Sequence, residues 1–237
     1  MVDTADQKFK SALRLYEDGR LDESIALWHD LLSQQPDNLS ARYNLGLAFY
    51  NRGDTEGAVN EFQAVLRRDL NHIDSHLWLA RIWFTQGHIN EAIAENKSAI
   101  EIDPNYTYIH GTVGECYILR AQRTKYEEDW SLAQQAYEKS LALAQDDLEV
   151  SYAMTGLAII FNHEKKFEKG LQCAQTAVDL NPMNAEGLHI LHILQWRIFF
   201  RSLRQRQLKQ VWEMAKKLRK QRRLPRPLKL IPYIPIQ

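Results

Sequence analysis

Cysteine is nearly absent from this 237-residue sequence: Cys116 and Cys173 stand far apart, outside any Cys-x-x-Cys pair. That excludes a disulfide framework and a structural zinc site, and both thiols read as small buried apolar residues of a reducing, cytoplasmic compartment. Long apolar runs are lacking too. The most apolar stretch, Gly187–Phe200, carries His189, His192, Gln195 and Arg197, and is too short and too polar to cross a bilayer. The first twenty residues, with Asp3, Asp6, Lys8 and Lys10, hold no apolar segment of the secretory type. Ten glycines and seven prolines are few, and four of the prolines fall in the last thirteen residues. A helix-rich body follows.

Net charge is missing as well, with 30 Lys+Arg against 30 Asp+Glu. The zero conceals a division. Residues 1–196 hold 17 Lys+Arg and 29 Asp+Glu, a net of −12, whereas residues 197–237 hold 13 Lys+Arg and only Glu213, a net of +12. An acidic body therefore carries a basic tail, and the two need separate interpretation.

What is present is an internal repeat. Ala5–Asn38, Leu39–His72 and Ile73–Tyr106 align as three contiguous 34-residue units. A fourth, Thr107–Asp147, fits if seven extra residues sit between its two helices, and a fifth, Ser151–Asn184, follows a three-residue spacer. Small residues recur at repeat position 8 (Ala12, Gly46, Ala80, Gly114, Ala158) and aromatics at position 11 (Phe49, Trp83, Tyr117, Phe161). Trp28, Phe62 and Tyr137 share position 24, and Pro36, Pro104 and Pro182 share position 32. Leu70 departs from the proline pattern in unit two, and Asn96 from the aromatic pattern in unit three. This set of positions resembles the tetratricopeptide repeat family over residues 5–184.

Physical reasoning leads the same way. Small residues let paired helices approach, and bulky ones fill the groove between them. Gly19, Gly53 and Gly87 recur where a first helix must stop, and the prolines fall where a second helix must end. Thr4 followed by Gln7 reads as a capping box. A single helical pair cannot bury both faces, so stacking supplies the core. The expected fold is all-α, a right-handed α-α superhelix of five units, followed by a long basic C-terminal helix over 185–224 and an extended Pro-rich tail over 225–237.

The resemblance implies that the first helix of each unit lines the concave face, through repeat positions 2, 5, 6, 9, 12 and 13. In this sequence that set includes Phe9, Leu13 and Tyr16 from unit one, Tyr43, Asn44, Leu47 and Tyr50 from unit two, and Leu77, Trp78, Arg81 and Phe84 from unit three. Aromatic anchors with an Arg suit the capture of a protein or peptide segment. Family members that clamp a heat-shock chaperone C-terminus place paired cations in this groove. The corresponding residues here are Phe9, Leu13, Asn44, Asp74 and Trp78, which would leave a carboxylate unpaired. That partner is not expected.

Nothing in the sequence assembles an enzyme. P-loop, GxGxxG, GxSxG and HExxH patterns are absent, and no catalytic residue, metal ligand set or cofactor is expected. His72 with His76, and His189 with His192, have helical spacing but no third ligand beside them. Glu127, Glu128 and Asp129 read as a solvated acidic turn in the unit-four insertion.

The tail keeps several readings open. Leu188–Leu194 is apolar enough to dock on unit five, and Trp196, Phe200, Leu203, Val211, Met214 and Leu218 continue near one face. Among them stand Arg197, Arg201, Arg204, Arg206, Lys209, Lys216, Lys217, Arg219, Lys220, Arg222 and Arg223. Such a helix suits an anionic membrane surface, a partner protein or the acidic body of the same chain, with nucleic acid ranking last because no base-reading module is present. The remaining reading is an extended capping helix with a solvated end. The sequence therefore points to a non-enzymatic adaptor, scaffold or assembly factor that binds through its groove. The alternative is a peripheral membrane or nucleic-acid-associated factor that binds through its tail.

Overall fold

The computed structural model describes residues 4–220, with side chains to residue 217. The described residues form helices α1 (Ala5–Glu17), α2 (Leu21–Gln34), α3 (Leu39–Arg52), α4 (Thr55–Leu66), α5 (Ile73–Gln86) and α6 (Ile89–Ile102). They continue with α7 (Thr107–Thr124), α8 (Glu128–Leu143), α9 (Asp147–His163), α10 (Phe167–Leu180) and α11 (Ala185–Lys220). Each odd-numbered helix from α1 to α9 pairs with the even-numbered helix after it, and that helix then packs on the next pair. First helices also touch one another directly, α1 with α3, α7 with α9, and α9 with α11. The result is an α-α solenoid whose core is a chain of apolar clusters between successive layers.

Local chemistry accounts for the helix ends. Thr4 accepts from the Gln7 amide while the Gln7 side chain accepts from the Thr4 amide, closing the capping box. Asn38, Asp54 and Asp146 cap α3, α4 and α9 by one half of that exchange, each side chain accepting from the amide three residues on. Gly53 and Gly87 end α3 and α5 in left-handed backbone, with φ of +89° and +83°. Units four and five have no glycine there, so Lys125 and Lys165 take the left-handed turn with φ of +58° and +61°.

Two segments and one side chain differ from the sequence expectation. The seven extra residues of unit four do not form a loop. They lengthen α7 by one turn, start α8 two residues early and leave only Lys125–Glu127 as linker. Extending a helix satisfies the added backbone groups internally, which a loop would leave to solvent. The spacer over 148–150 is likewise helical, inside the first turn of α9. Asp129 is not part of a solvated turn either. It is fully buried, and Arg120 donates to both its oxygens at 2.8 and 2.7 Å, an arrangement that compensates a buried charge.

A second set of contacts ties one unit to the next. Arg42, His76 and His110 all occupy repeat position 4, and each hydrogen-bonds a carbonyl at the end of the preceding unit: Pro36 at 3.1 Å, Leu70 at 3.1 Å and Pro104 at 2.8 Å. Arg42 and His76 also bond Glu61 and Glu95 of their own units at 2.9 and 2.7 Å. The departure at Leu70 leaves this clasp intact because it uses the backbone carbonyl.

Helix α11 begins as a cap on unit five, with Ile190, Leu191 and Leu194 buried against α9 and α10. Residues 221–224 of the expected terminal helix and the Pro-rich segment over 225–237 lie outside the described residues, as do Arg222 and Arg223 and the side chains of Leu218, Arg219 and Lys220. No helix among the described residues is long and apolar enough to cross a membrane.

Candidate functional site

The packing of the position-24 aromatics explains where the groove opens. Trp28 is fully buried with Phe9 edge-on at 4.9 Å. Phe62 lies over Gly46 and stacks on Trp78 of the next unit at 6.1 Å. Tyr137 sits between Gly114 of its own unit and Gly156 of the next. In each case a ring plugs the space between consecutive layers. Unit three has Asn96 at this place. Its amide donates to the Ala92 carbonyl, and its side-chain oxygen accepts from the Thr112 hydroxyl, both at 3.0 Å. The short polar side chain satisfies itself on neighbouring groups and fills little space.

Above Asn96 lies a pocket of about 490 Å3, and α5 and α7 are not in close contact here as α7 and α9 are. Its floor is Asn96, Ala80 and Cys116. Leu77, Trp78, Arg81, Phe84 and Thr85 of α5 form one wall, and Tyr106, Tyr108, Thr112 and Glu115 form the other, with Asp74 beside them. A cavity of this size with mostly apolar walls and a few polar groups is the form of a ligand site. A shallower hollow of about 200 Å3 continues on the far side of Tyr108, toward Leu148 and Tyr152.

The pocket carries both signs of charge. The exposed Arg81 guanidinium lies 5.4 Å over the Trp78 ring. Glu115 is half-buried and accepts from the Tyr152 hydroxyl at 3.0 Å. Burial holds its carboxyl above the usual range, and the Tyr152 bond pulls the other way. Burial also pushes the Cys116 thiol up to about 12, so it offers no thiolate nucleophile near neutral pH. Among the described residues no group of three or more His, Cys, Asp or Glu is placed to hold a metal ion. His76 is committed to Glu95 and Leu70, and His72 caps α5.

Of the groove residues expected from sequence, Leu77, Trp78, Arg81 and Phe84 line this pocket. Phe9, Leu13 and Tyr16 pack half-buried against the first cluster, and the Tyr16 hydroxyl accepts from Asn51 at 2.5 Å. Tyr43, Leu47 and Tyr50 pack between units two and three, where the Trp78 indole donates to the Tyr43 hydroxyl at 3.0 Å and lies 4.9 Å from Tyr50. Asn44 bonds its own helix at the Ser40 carbonyl. Trp78 therefore serves the stack as well as the pocket.

Sequence reasoning stopped at unit three and missed Tyr106, Tyr108, Thr112 and Glu115. Tyr108, Thr112 and Glu115 stand at positions 2, 6 and 9 of unit four, the same register that selected Leu77, Trp78 and Arg81. The departure at Asn96 was the available signal, since a missing plug leaves a hole. On α11, Arg197 lies 5.6 Å over the Phe167 ring and Arg201 meets Glu168 at 3.5 Å. Arg204, Arg206, Lys209, Lys216 and Lys217 are exposed.

Two tetratricopeptide repeat sequence profiles match the chain, over residues 9–69 and 49–116. Among curated proteins, human tetratricopeptide repeat protein 13 is 24% identical over 181 residues, covering 74% of this chain and 20% of that protein. Human PEX5-related protein is 22% identical over 176 residues, covering 73% of this chain and 28% of that protein. The chain thus spans less than a third of the length of either relative. Among solved structures, a tetratricopeptide repeat protein from Parabacteroides merdae superposes with a TM-score of 0.70 at 14% identity, covering 88% of this chain and 79% of that one. MamA from Desulfovibrio magneticus gives 0.66 at 17% identity, covering 78% and 99%. YrrB, described as a tetratricopeptide repeat protein with an unusual peptide-binding site, gives 0.62 at 17% identity, covering 79% and 91%. The 34-residue units, their stacked helix pairs and these matches together show a tetratricopeptide repeat protein, with the family profiles matching residues 9–116 and the α-α solenoid fold shared with the solved repeat proteins.

Proposed function

We propose that this chain is a non-enzymatic protein-binding scaffold that holds an extended or helical segment of a partner in the pocket between α5 and α7. The observation that carries this reading is the replacement of an inter-layer aromatic by Asn96, which leaves an open, aromatic-walled pocket of about 490 Å3. One partner side chain of Leu, Phe or Met type buried there contributes about 1.5–3 kcal/mol, enough to act as an anchor. Arg81 and the acidic pair Asp74 and Glu115 then fix its orientation through flanking polar groups. Tetratricopeptide repeat proteins in general mediate protein–protein interactions, and YrrB is described as having a peptide-binding site. Both support a protein or peptide ligand.

Photo-crosslinking from Thr85 in the native cell, followed by mass spectrometry, would identify the partner. Asn96→Phe restores the missing plug, and with Tyr108→Ala it tests the pocket without cutting the Trp78 network. Each is expected to weaken capture at least tenfold, the scale of losing an interface anchor, while deletion of 197–237 leaves capture intact. If the pocket variants keep every partner and the deletion loses them all, the groove is not the binding element.

A further inference from the structure

Beyond its docked first turns, α11 leaves the solenoid with its apolar side chains uncovered. Trp196, Phe199, Phe200, Val211, Trp212 and Met214 are all more than half exposed. The rings of Trp196, Phe199 and Phe200 lie within 5.6–6.1 Å of one another and form a single patch. Large apolar side chains clustered in this way mark an interaction surface, unlike scattered single ones. The same stretch, residues 197–217, carries seven Lys+Arg and only Glu213 as an acid. Among the described residues, its charged contacts with the body lie at its start, where Arg197 covers Phe167 and Arg201 meets Glu168. The acidic repeats of the same chain therefore do not cover it.

We propose that this projecting half of α11 lies on an anionic lipid surface. The Trp and Phe rings enter the boundary between headgroups and acyl chains, and the cations meet lipid phosphates and carboxylates. Charge complementarity and apolar exposure are both needed to choose this occupant. A nucleic acid would neutralise the cations but leave the aliphatic side chains in water. A second copy of the helix would cover the apolar side chains but bring seven like charges against seven. Of these occupants, an anionic lipid interface is the one that takes both features at once. The surface also repels the body, whose residues 1–196 carry a net charge of −12, so the helix lies on the lipid while the solenoid is held off it.

The test uses the full chain with vesicles of phosphatidylcholine alone and of an equimolar mixture with phosphatidylserine. Binding is expected only to the mixture, falling as salt rises. Replacing any one of Arg204, Arg206 or Lys209 by Gln is expected to lower partitioning about fivefold. Trp196→Ser and Phe200→Ser each lower it roughly tenfold. Brominated acyl chains should quench tryptophan emission, and Trp196→Phe with Trp212→Phe should abolish that quenching. These positions are exposed, so an unchanged thermal melt shows that the variants remain folded. Three results would overturn the proposal: equal binding to both vesicle types, anionic binding indifferent to the serine variants, or concentration-dependent dimerisation that hides the tryptophans without lipid. Preferential capture of a single-stranded RNA oligonucleotide, unaffected by the serine variants, would assign the helix to nucleic acid instead.

Discussion

Replacing Gly114 by alanine tests the packing logic that locates the pocket. A Cβ at Gly114 would stand 2.7 Å from Tyr137 Cε2, 2.8 Å from Cδ2 and 3.1 Å from Cζ. Carbon atoms pack best at about 3.5–4.0 Å, so the ring must retreat by most of an ångström. It has nowhere to go. Gly156 presses on its other face so closely that a Cβ there would overlap the ring outright, and the Tyr152 ring lies edge-on at 6.0 Å. Overpacking costs about 1–3 kcal/mol, and confinement on both faces argues for the upper end. Alanine returns up to about 1 kcal/mol of helix propensity relative to glycine. The net loss is thus about 2 kcal/mol, a fall of roughly 0.7–1 M in the urea midpoint for a slope of 2–3 kcal/mol/M. Unfolding followed by far-ultraviolet circular dichroism would measure it. Tyr137→Leu destabilises by itself but removes the clash while the propensity gain remains, so the double variant should be more stable than the two losses predict, by the full overpacking cost of about 3 kcal/mol. If Gly114→Ala is neutral or stabilising, or the double variant is simply additive, the position-24 ring is not a close-packed plug. The account of Asn96 as a missing plug would then fall with it.

The buried pair Arg120–Asp129 should respond asymmetrically. Arg120→Met strands a fully buried carboxylate and is expected to cost about 3–5 kcal/mol, whereas Asp129→Asn leaves a guanidinium that reaches solvent and Asn90, costing about 1 kcal/mol; equal losses in chemical denaturation would contradict this. Hydrogen bonding to Glu95 raises the pKa of His76, against the opposing effect of burial. Its protonated form therefore stabilises the fold below about pH 6.5 and loses that contribution as pH rises through the folded-state value. The wild type should lose more stability than His76→Gln between about pH 6 and pH 8, and parallel profiles would show that the clasp does not titrate. Lys165→Gly relieves a left-handed backbone that costs an L-residue about 1–2 kcal/mol, offset by about 0.5–1 kcal/mol of added unfolded-state freedom. A thermal melt should rise slightly, and a fall would mean that the lysine side chain contributes more than the strain costs.

Much of the architecture was legible because its causes are local. The spacing of Ala12, Gly46 and Ala80, the glycines at Gly53 and Gly87 and the prolines after the second helices each act within a few residues of chain. Their recurrence every 34 residues specifies helix pairs and their stacking. Irregular segments were harder. The extra residues of unit four and the spacer over 148–150 became helix, since nothing in their sequence outweighs the hydrogen bonds gained by extending α7 and α9. Asp129 looked like one more surface acid until Arg120, nine residues earlier, was seen folded over it.

The site divides along the same line. The sequence by itself determined the 34-residue register, and the family resemblance, by implying which positions face the groove, singled out Leu77, Trp78, Arg81 and Phe84. Tertiary structure decided where along that face a pocket opens and which register residues it admits. Trp78, Tyr43 and Tyr50 are drawn into the joint between units two and three, while Tyr108 and Glu115 are brought up from unit four. The position-4 clasp is of the same kind, because Arg42, His76 and His110 find their carbonyl partners only across a unit boundary. Periodicity records what a residue does within its own turn of chain. Whether a ring, a short amide or empty space lies opposite depends on the neighbouring unit, and that is settled only when the layers stack.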